Sequence, residues 1–166
     1  MAILKIIKDD DPLLRETSRE VKEITPRIIR LLDDMVDTLH KANGAGLAAV
    51  QVGVLRRVVL VEAEAGQLYE MINPVIIERS EETQEEIEGC LSLPGKWGIT
   101  TRPMTVTVEA TDRNGKRYTV TGSGLLARAI CHECDHLDGH LYTEIAYRKL
   151  TQEEIDAVRS QGEEEE

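Results

Sequence analysis

Apolar residues recur at helical spacing between Pro26 and Ala42: Ile28, Ile29, Leu31, Leu32, Met35, Val36 and Leu39. Thr25 is placed to cap this helix, Pro26 suits its first position, and Asn43-Gly44 stops it. Val58 to Val61 is an unbroken apolar run and predicts a buried strand. Thr105 to Ala110 alternates as Thr-Val-Thr-Val-Glu-Ala, the pattern of a half-buried strand. Arg113-Asn114-Gly115 turns it and Arg117 to Thr121 returns, completing a hairpin. A second helix is predicted from Gly124 to Leu137, with Ser123 as its cap and Gly139 just past its end. A third, acidic and amphipathic, is predicted from Thr151 to Ser160. The cluster Glu81, Glu82, Glu85 and Glu86 reads as a surface loop or sheet edge. Strands and helices follow one another without a βαβ rhythm, so the fold class is α+β.

Composition narrows the picture. The 166 residues fit a single domain over residues 1–160, with a flexible acidic tail over 161–166 solvated by its own repulsion. A hydrophobic fraction of 41% beside 31% charged residues describes a globular chain. The net charge of −11 argues against nucleic-acid groove binding and against a polybasic membrane surface. Aromatics are only 3%, with no Phe, so the core must rest on Leu, Ile, Val, Ala and Met. The opening apolar run Met1 to Ile7 is too short for a signal-peptide core, and no stretch is long enough to span a bilayer. A cytoplasmic location follows as the expectation. Cys90, Cys131 and Cys134 are then free thiols.

The chemistry concentrates on the second helix, in Cys131-His132-Glu133-Cys134-Asp135-His136. His132 and His136 stand at i and i+4, which puts both imidazoles on one helical face, one turn apart, as two ligands of one metal ion. Glu133 is better placed to bond a metal-held water than to ligate. The plain alternative is a pair of surface histidines. Two imidazoles and a water leave a tetrahedral ion one ligand short. A later histidine, as in metzincins, would be His140, two residues early. A glutamate from a later helix would be Glu153 or Glu154. A thiolate would come from elsewhere. Cys131 and Cys134 lie in a helix interior off the histidine face, and read as buried small apolar groups rather than a metal knuckle. Cys90 stands apart, in Glu88-Gly89-Cys90-Leu91-Ser92-Leu93-Pro94-Gly95.

Three segments, in order, resemble the peptide deformylase family: Gly44-Ala45-Gly46-Leu47-Ala48-Ala49-Val50-Gln51, Glu88-Gly89-Cys90-Leu91-Ser92, and His132-Glu133-Cys134-Asp135-His136-Leu137-Asp138-Gly139. Asp11 to Arg15 resembles the family's N-terminal region, so the likeness extends over residues 3 to 142. The resemblance implies antiparallel sheets around a buried helix carrying the H-E-x-x-H motif, flanked by an N-terminal and a C-terminal helix. It implies removal of the N-formyl group from formyl-methionyl nascent peptides. It implies Cys90, His132 and His136 as ligands of one divalent ion, Fe(II), with Zn, Ni or Co able to occupy the site.

On that reading Glu133 is general base and then acid, and the Gln51 amide and Leu91 backbone N–H stabilise the oxyanion. Ala45, Gly46, Gly89, Leu125 and Ala129 line the substrate site, and Arg102 pairs with Glu88 behind the thiolate. The chain departs from the family at Val50, where Pro is common, and at Cys131, where Gln is common. The family's ribosome docking through a basic terminal helix is not expected of this acidic C-terminus. A monomer is expected. An H-E-x-x-H zinc endopeptidase is the alternative activity.

Overall fold

The computed structural model describes the backbone of residues 2–165 and side chains as far as residue 159. Eleven regular elements follow in order: α1 (Pro26–Ala42), β1 (Gly46–Ala48), β2 (Val58–Val61), β3 (Tyr69–Arg79), β4 (Thr83–Cys90), β5 (Leu93–Pro103), β6 (Thr105–Thr111), β7 (Arg117–Ser123), α2 (Leu125–Leu137), β8 (Arg148–Lys149) and α3 (Gln152–Glu165). Two antiparallel sheets form, one ordered β1-β2-β3-β6-β7 and the other β4-β5-β8. The expected α+β class, with a buried metal-motif helix between antiparallel sheets, is what the chain adopts.

β2 shows why an unbroken apolar run was needed. Val59 and Val61 face one core cluster with Ile130 and Leu137 of α2, while Val58 and Leu60 face a second with Leu32, Met35 and Leu39 of α1. The larger sheet is thus sandwiched between the two helices, and all four β2 side chains are fully buried. Each such side chain contributes about 1.5–3 kcal/mol of burial. α1 has the predicted bounds, the Thr25 cap on the Ile28 N–H, and Asn43 in the left-handed region at φ 54°.

Two expectations are corrected. α2 starts at Leu125 with Gly124 in the cap position, whose φ of 61° a side chain would strain; Ser123 ends β7 instead of capping the helix. α3 continues past Ser160 to Glu165, while the side chains of the expected 161–166 tail fall outside the described residues. β3, β4 and β5 form a long stretch of strand that the apolar pattern did not announce. The acidic cluster leads into and lies on β4, an edge strand, as a sheet edge was expected to hold it.

The C-terminal end of α2 is anchored twice. The Arg57 guanidinium donates to the Leu137 carbonyl at 3.1 Å and to Asp138 at 3.1 Å. Gly139, at φ 78°, passes so close to the Arg15 carbonyl that a Cβ would lie 2.4 Å from its oxygen. Among the described residues no helix is long and apolar enough to cross a membrane.

Candidate metal centre

One stripe of α2 carries Leu125, Arg128, Ala129, His132, Glu133 and His136, the i, i+3, i+4, i+7 spacing of a single helical face. From Arg128 onward the stripe is buried, while Leu125 at its start is exposed; His136 is wholly inaccessible. His132 Nε2 and His136 Nε2 stand 3.2 Å apart, and Cys90 Sγ is 3.4 Å from His136 Nε2. All three donor atoms lie within 4.8 Å of one another. Ligands at ordinary zinc or iron bond lengths around a tetrahedral ion sit roughly 3.3–3.7 Å apart, so this thiolate and two imidazoles fit a single divalent ion with one position left open. Of the three sources of a further ligand, the structure brings the cysteine of β4 to the histidines. His140 is exposed beside Glu144, and Glu154 pairs with Arg148 away from the histidines.

His132 is oriented from behind. Glu88 Oε2 lies 2.7 Å from His132 Nδ1; a carboxylate only accepts, so Nδ1 carries the proton and Nε2 keeps its lone pair for the centre. Arg102 grips the same carboxylate from Nε at 3.1 Å and Nη2 at 2.7 Å, and reaches Asp135 at 2.6 Å. The Thr100 hydroxyl donates to Glu88 Oε1 at 2.7 Å, and Arg128 adds a further contact at 3.1 Å. Burial alone would raise the Glu88 carboxyl. The hydrogen bonds and charges of His132 and Arg102 overrule it and hold Glu88 far below the usual carboxylate range. The Glu88–Arg102 pair is thus not a surface ion pair but a buried brace. The Tyr142 ring stacks on His132, with centroids 6.2 Å apart.

Glu133 occupies a different environment. Its Oε1 is buried without a hydrogen-bond partner, and burial pushes its carboxyl up to about 7 against the lowering pull of His132. Gly46 of β1 packs directly on this carboxylate. Gln51 is also buried: its Oε1 accepts from the Ala48 N–H at 2.9 Å, and its Nε2 donates to Ser92 Oγ at 3.1 Å and approaches Cys90 Sγ at 3.5 Å. The loop after α1 and the turn after β4 therefore meet over the metal motif.

Between them opens a cleft of ≈410 Å³. Ala45, Gly46, Gln51, Glu88, Gly89, Cys90, Leu91, Leu125, Ala129, His132 and Glu133 all line it, so those sequence candidates converge on one space. His136 and Arg102 stand behind it. Cys131 is buried and Cys134 partly buried; both stay out of the ligand set and pack with the apolar core. Thr100, Asp135, Ser92, Tyr142, Trp97 and Arg128 escaped the sequence reading. Only Arg128 carried a usable signal, its place four residues before His132 on the ligand face.

The family model described as polypeptide deformylase matches residues 3–152. The peptide deformylase of Caldicellulosiruptor bescii is 47% identical over 162 residues, 98% of this chain and 96% of the relative. That of Acetivibrio thermocellus is 50% identical over 159 residues, 96% and 92% of the two chains. The crystal structure of peptide deformylase from Thermotoga maritima superimposes with a TM-score of 0.85 at 29% identity, over 88% of this chain and 99% of that one. The Ehrlichia chaffeensis enzyme in complex with actinonin gives 0.83 at 35% identity, over 100% and 99%.

Proposed function

The chain belongs to the polypeptide deformylase family and removes the N-formyl group from nascent peptides with a Cys-His-His metal site; from that premise we propose the part each residue plays. The convergence of Cys90 Sγ with the Nε2 atoms of His132 and His136 carries the reading. When bound, a divalent ion supplies Lewis acidity and makes water nucleophilic near neutral pH. Glu133 takes the proton that the attacking water gives up and returns it to the leaving amine. Its buried, unpaired Oε1 and raised pKa suit both halves of that task. The Gln51 Nε2–H and the Leu91 backbone N–H donate to the formyl oxygen as negative charge gathers there. Ala45, Gly46, Gly89, Leu125 and Ala129 hold the formyl-methionyl end. Glu88 and Arg102 keep His132 in its ligating tautomer.

The resident ion is Fe(II), with Zn, Ni or Co able to replace it; a thiolate beside two imidazoles suits these borderline metals. Residues 1–160 act as one catalytic unit, as a cytoplasmic monomer. α3 is acidic at Glu153, Glu154 and Asp156, the wrong sign for docking on ribosomal RNA.

Formate release from a formyl-Met-Ala peptide, measured on anaerobically purified protein with metal analysis, tests the reading. An unformylated internal peptide serves as the control for the endopeptidase alternative. Formate without internal cleavage is expected. Internal cleavage, or no formate from fully metallated protein, would overturn it.

A further inference from the structure

Arg128 has no assigned part in the reaction, although it lines the cleft one turn before His132. It is a charged side chain only 5% exposed. A guanidinium is costly to bury unless it is paired. Its Nη2 bonds the Glu86 carbonyl at 3.1 Å, Glu88 Oε1 at 3.1 Å and the Thr100 hydroxyl, while Nη1 is buried without a partner.

These contacts do not duplicate those of Arg102. Arg102 projects from β5 and joins two carboxylates, Glu88 and Asp135. Arg128 projects from α2 and holds the backbone of β4 itself, at the Glu86 carbonyl. The difference matters because the ligands come from two elements. His132 and His136 share one helical turn and keep their spacing whatever β4 does. The Cys90 sulfur rides on β4, beyond a register irregularity between Glu88 and Cys90, and has no such guarantee. Glu88 ties β4 to α2 through His132 and, by way of Arg102, through Asp135; Arg128 adds a tie to the β4 backbone itself, four residues before the sulfur.

The geometry points to Arg128 as a positioning residue for the metal centre. By pinning β4 to α2 it sets the separation between the Cys90 sulfur and the two histidine nitrogens. The inference rests on the Cys90–His132–His136 centre of the deformylase reading.

The test is zinc affinity, by competition with a chromophoric chelator, together with the absorption spectrum of the cobalt-substituted protein. Arg128→Met is expected to weaken zinc binding roughly 10–100-fold, the usual effect of losing a group that orients a ligand. Its sulfur-to-cobalt charge-transfer band should lose intensity. Arg128→Lys keeps a cation within reach of Glu88 or Thr100 and should recover most of both signals. Wild-type affinity and spectrum in Arg128→Met, even with a lowered melting temperature, would make Arg128 a cleft wall and overturn the inference. Where Arg128→Met fails to fold, Arg128→Gln decides. Its shorter amide stays polar but gives up the bond to the Glu86 carbonyl, and should shift affinity and band in the same direction; unchanged values overturn the inference. Formate release by the wild-type protein is scored separately. An inactive wild type with a metal affinity that still depends on Arg128 defeats the deformylase reading alone, and the converse defeats this inference alone.

Discussion

Gly46 and Glu133 touch so closely that a Cβ on Gly46 would lie 2.5 Å from Glu133 Oε2 and 2.8 Å from its Cγ. Glu133 is itself only 3% exposed and lines the cleft, so the only room for its side chain to retreat is into the substrate space. The glycine is thus required by the carboxylate. Gly46→Ala should displace the proton-transfer group while leaving the ligands in place. The expected outcome is a fall in kcat of about 10²-fold or more, within the range that general acid–base catalysis contributes. Zinc content should stay that of the wild type. Formate-release kinetics with metal analysis checks it; near-normal kcat would show that β1 yields and that Glu133 is not confined.

The brace behind His132 makes a prediction about stability. Glu88 and Arg102 are 7% and 5% exposed and meet through two hydrogen bonds. Removing one partner of such a pair leaves a buried charge without its main counterpart, at a cost of about 3–5 kcal/mol. Arg102→Leu should lose about that much in urea unfolding of the metal-free protein. Arg128 and Thr100 still hold Glu88, so the loss should fall toward the lower end. A change below about 1 kcal/mol, the value of a surface pair, would contradict the buried brace.

The same brace explains what was legible in the sequence and what was not. α1, β2 and the β6–β7 hairpin carry apolar residues where the structure buries them, and their periodicity gave them away. β4 and β5 also alternate, but with polar side chains inward: Gln84, Glu88, Thr100 and Arg102 are all buried. A hydrophobic pattern cannot reveal a strand whose buried face supports a metal site. β3 is interrupted by Pro74 and by Asn73 at φ 51°, whose side chain bonds both the N–H and the carbonyl of Val21. The ligand histidines were readable because one helix holds them. Cys90 became a ligand candidate only through resemblance, since nothing local ties a residue of β4 to α2. Arg128 was unread for a similar reason: its partners lie 28 to 42 residues away.

The three thiols should separate by reactivity. Burial pushes Cys134 up to about 12 and raises Cys131 as well. A raised thiol pKa means less thiolate at a given pH, and for Cys134 at pH 8 about a thousandfold less than an ordinary cysteine. Cys90 lies on the cleft wall. Iodoacetamide at pH 8 should leave all three unmodified in zinc-loaded protein. It should modify Cys90 alone after chelation, and the other two only with denaturant. Raising the pH from 8 to 10 should multiply the Cys134 thiolate about a hundredfold yet leave it near one part in a hundred, so the order of modification should hold. Peptide mapping by mass spectrometry checks the order; early modification of Cys134 in chelated protein would contradict its burial.

Gln51 provides a separation of catalysis from binding. Its Oε1 holds the Ala48 N–H and its Nε2 points toward Cys90 Sγ and Ser92. Gln51→Glu keeps the acceptor and the shape but replaces the Nε2 donor with an oxygen. An anion beside the thiolate would then oppose the charge that develops on the formyl oxygen. The expected loss is about 10²–10³-fold in kcat, the usual effect of removing one oxyanion donor. KM for a formyl-Met-Ala peptide should change far less, because the donor matters most as charge develops. Gln51→Asn shortens the side chain but restores the amide, and should recover part of the rate if it still reaches. A large rise in KM at unchanged kcat would instead assign Gln51 to ground-state binding and leave the Leu91 N–H as the protein's remaining proposed oxyanion donor.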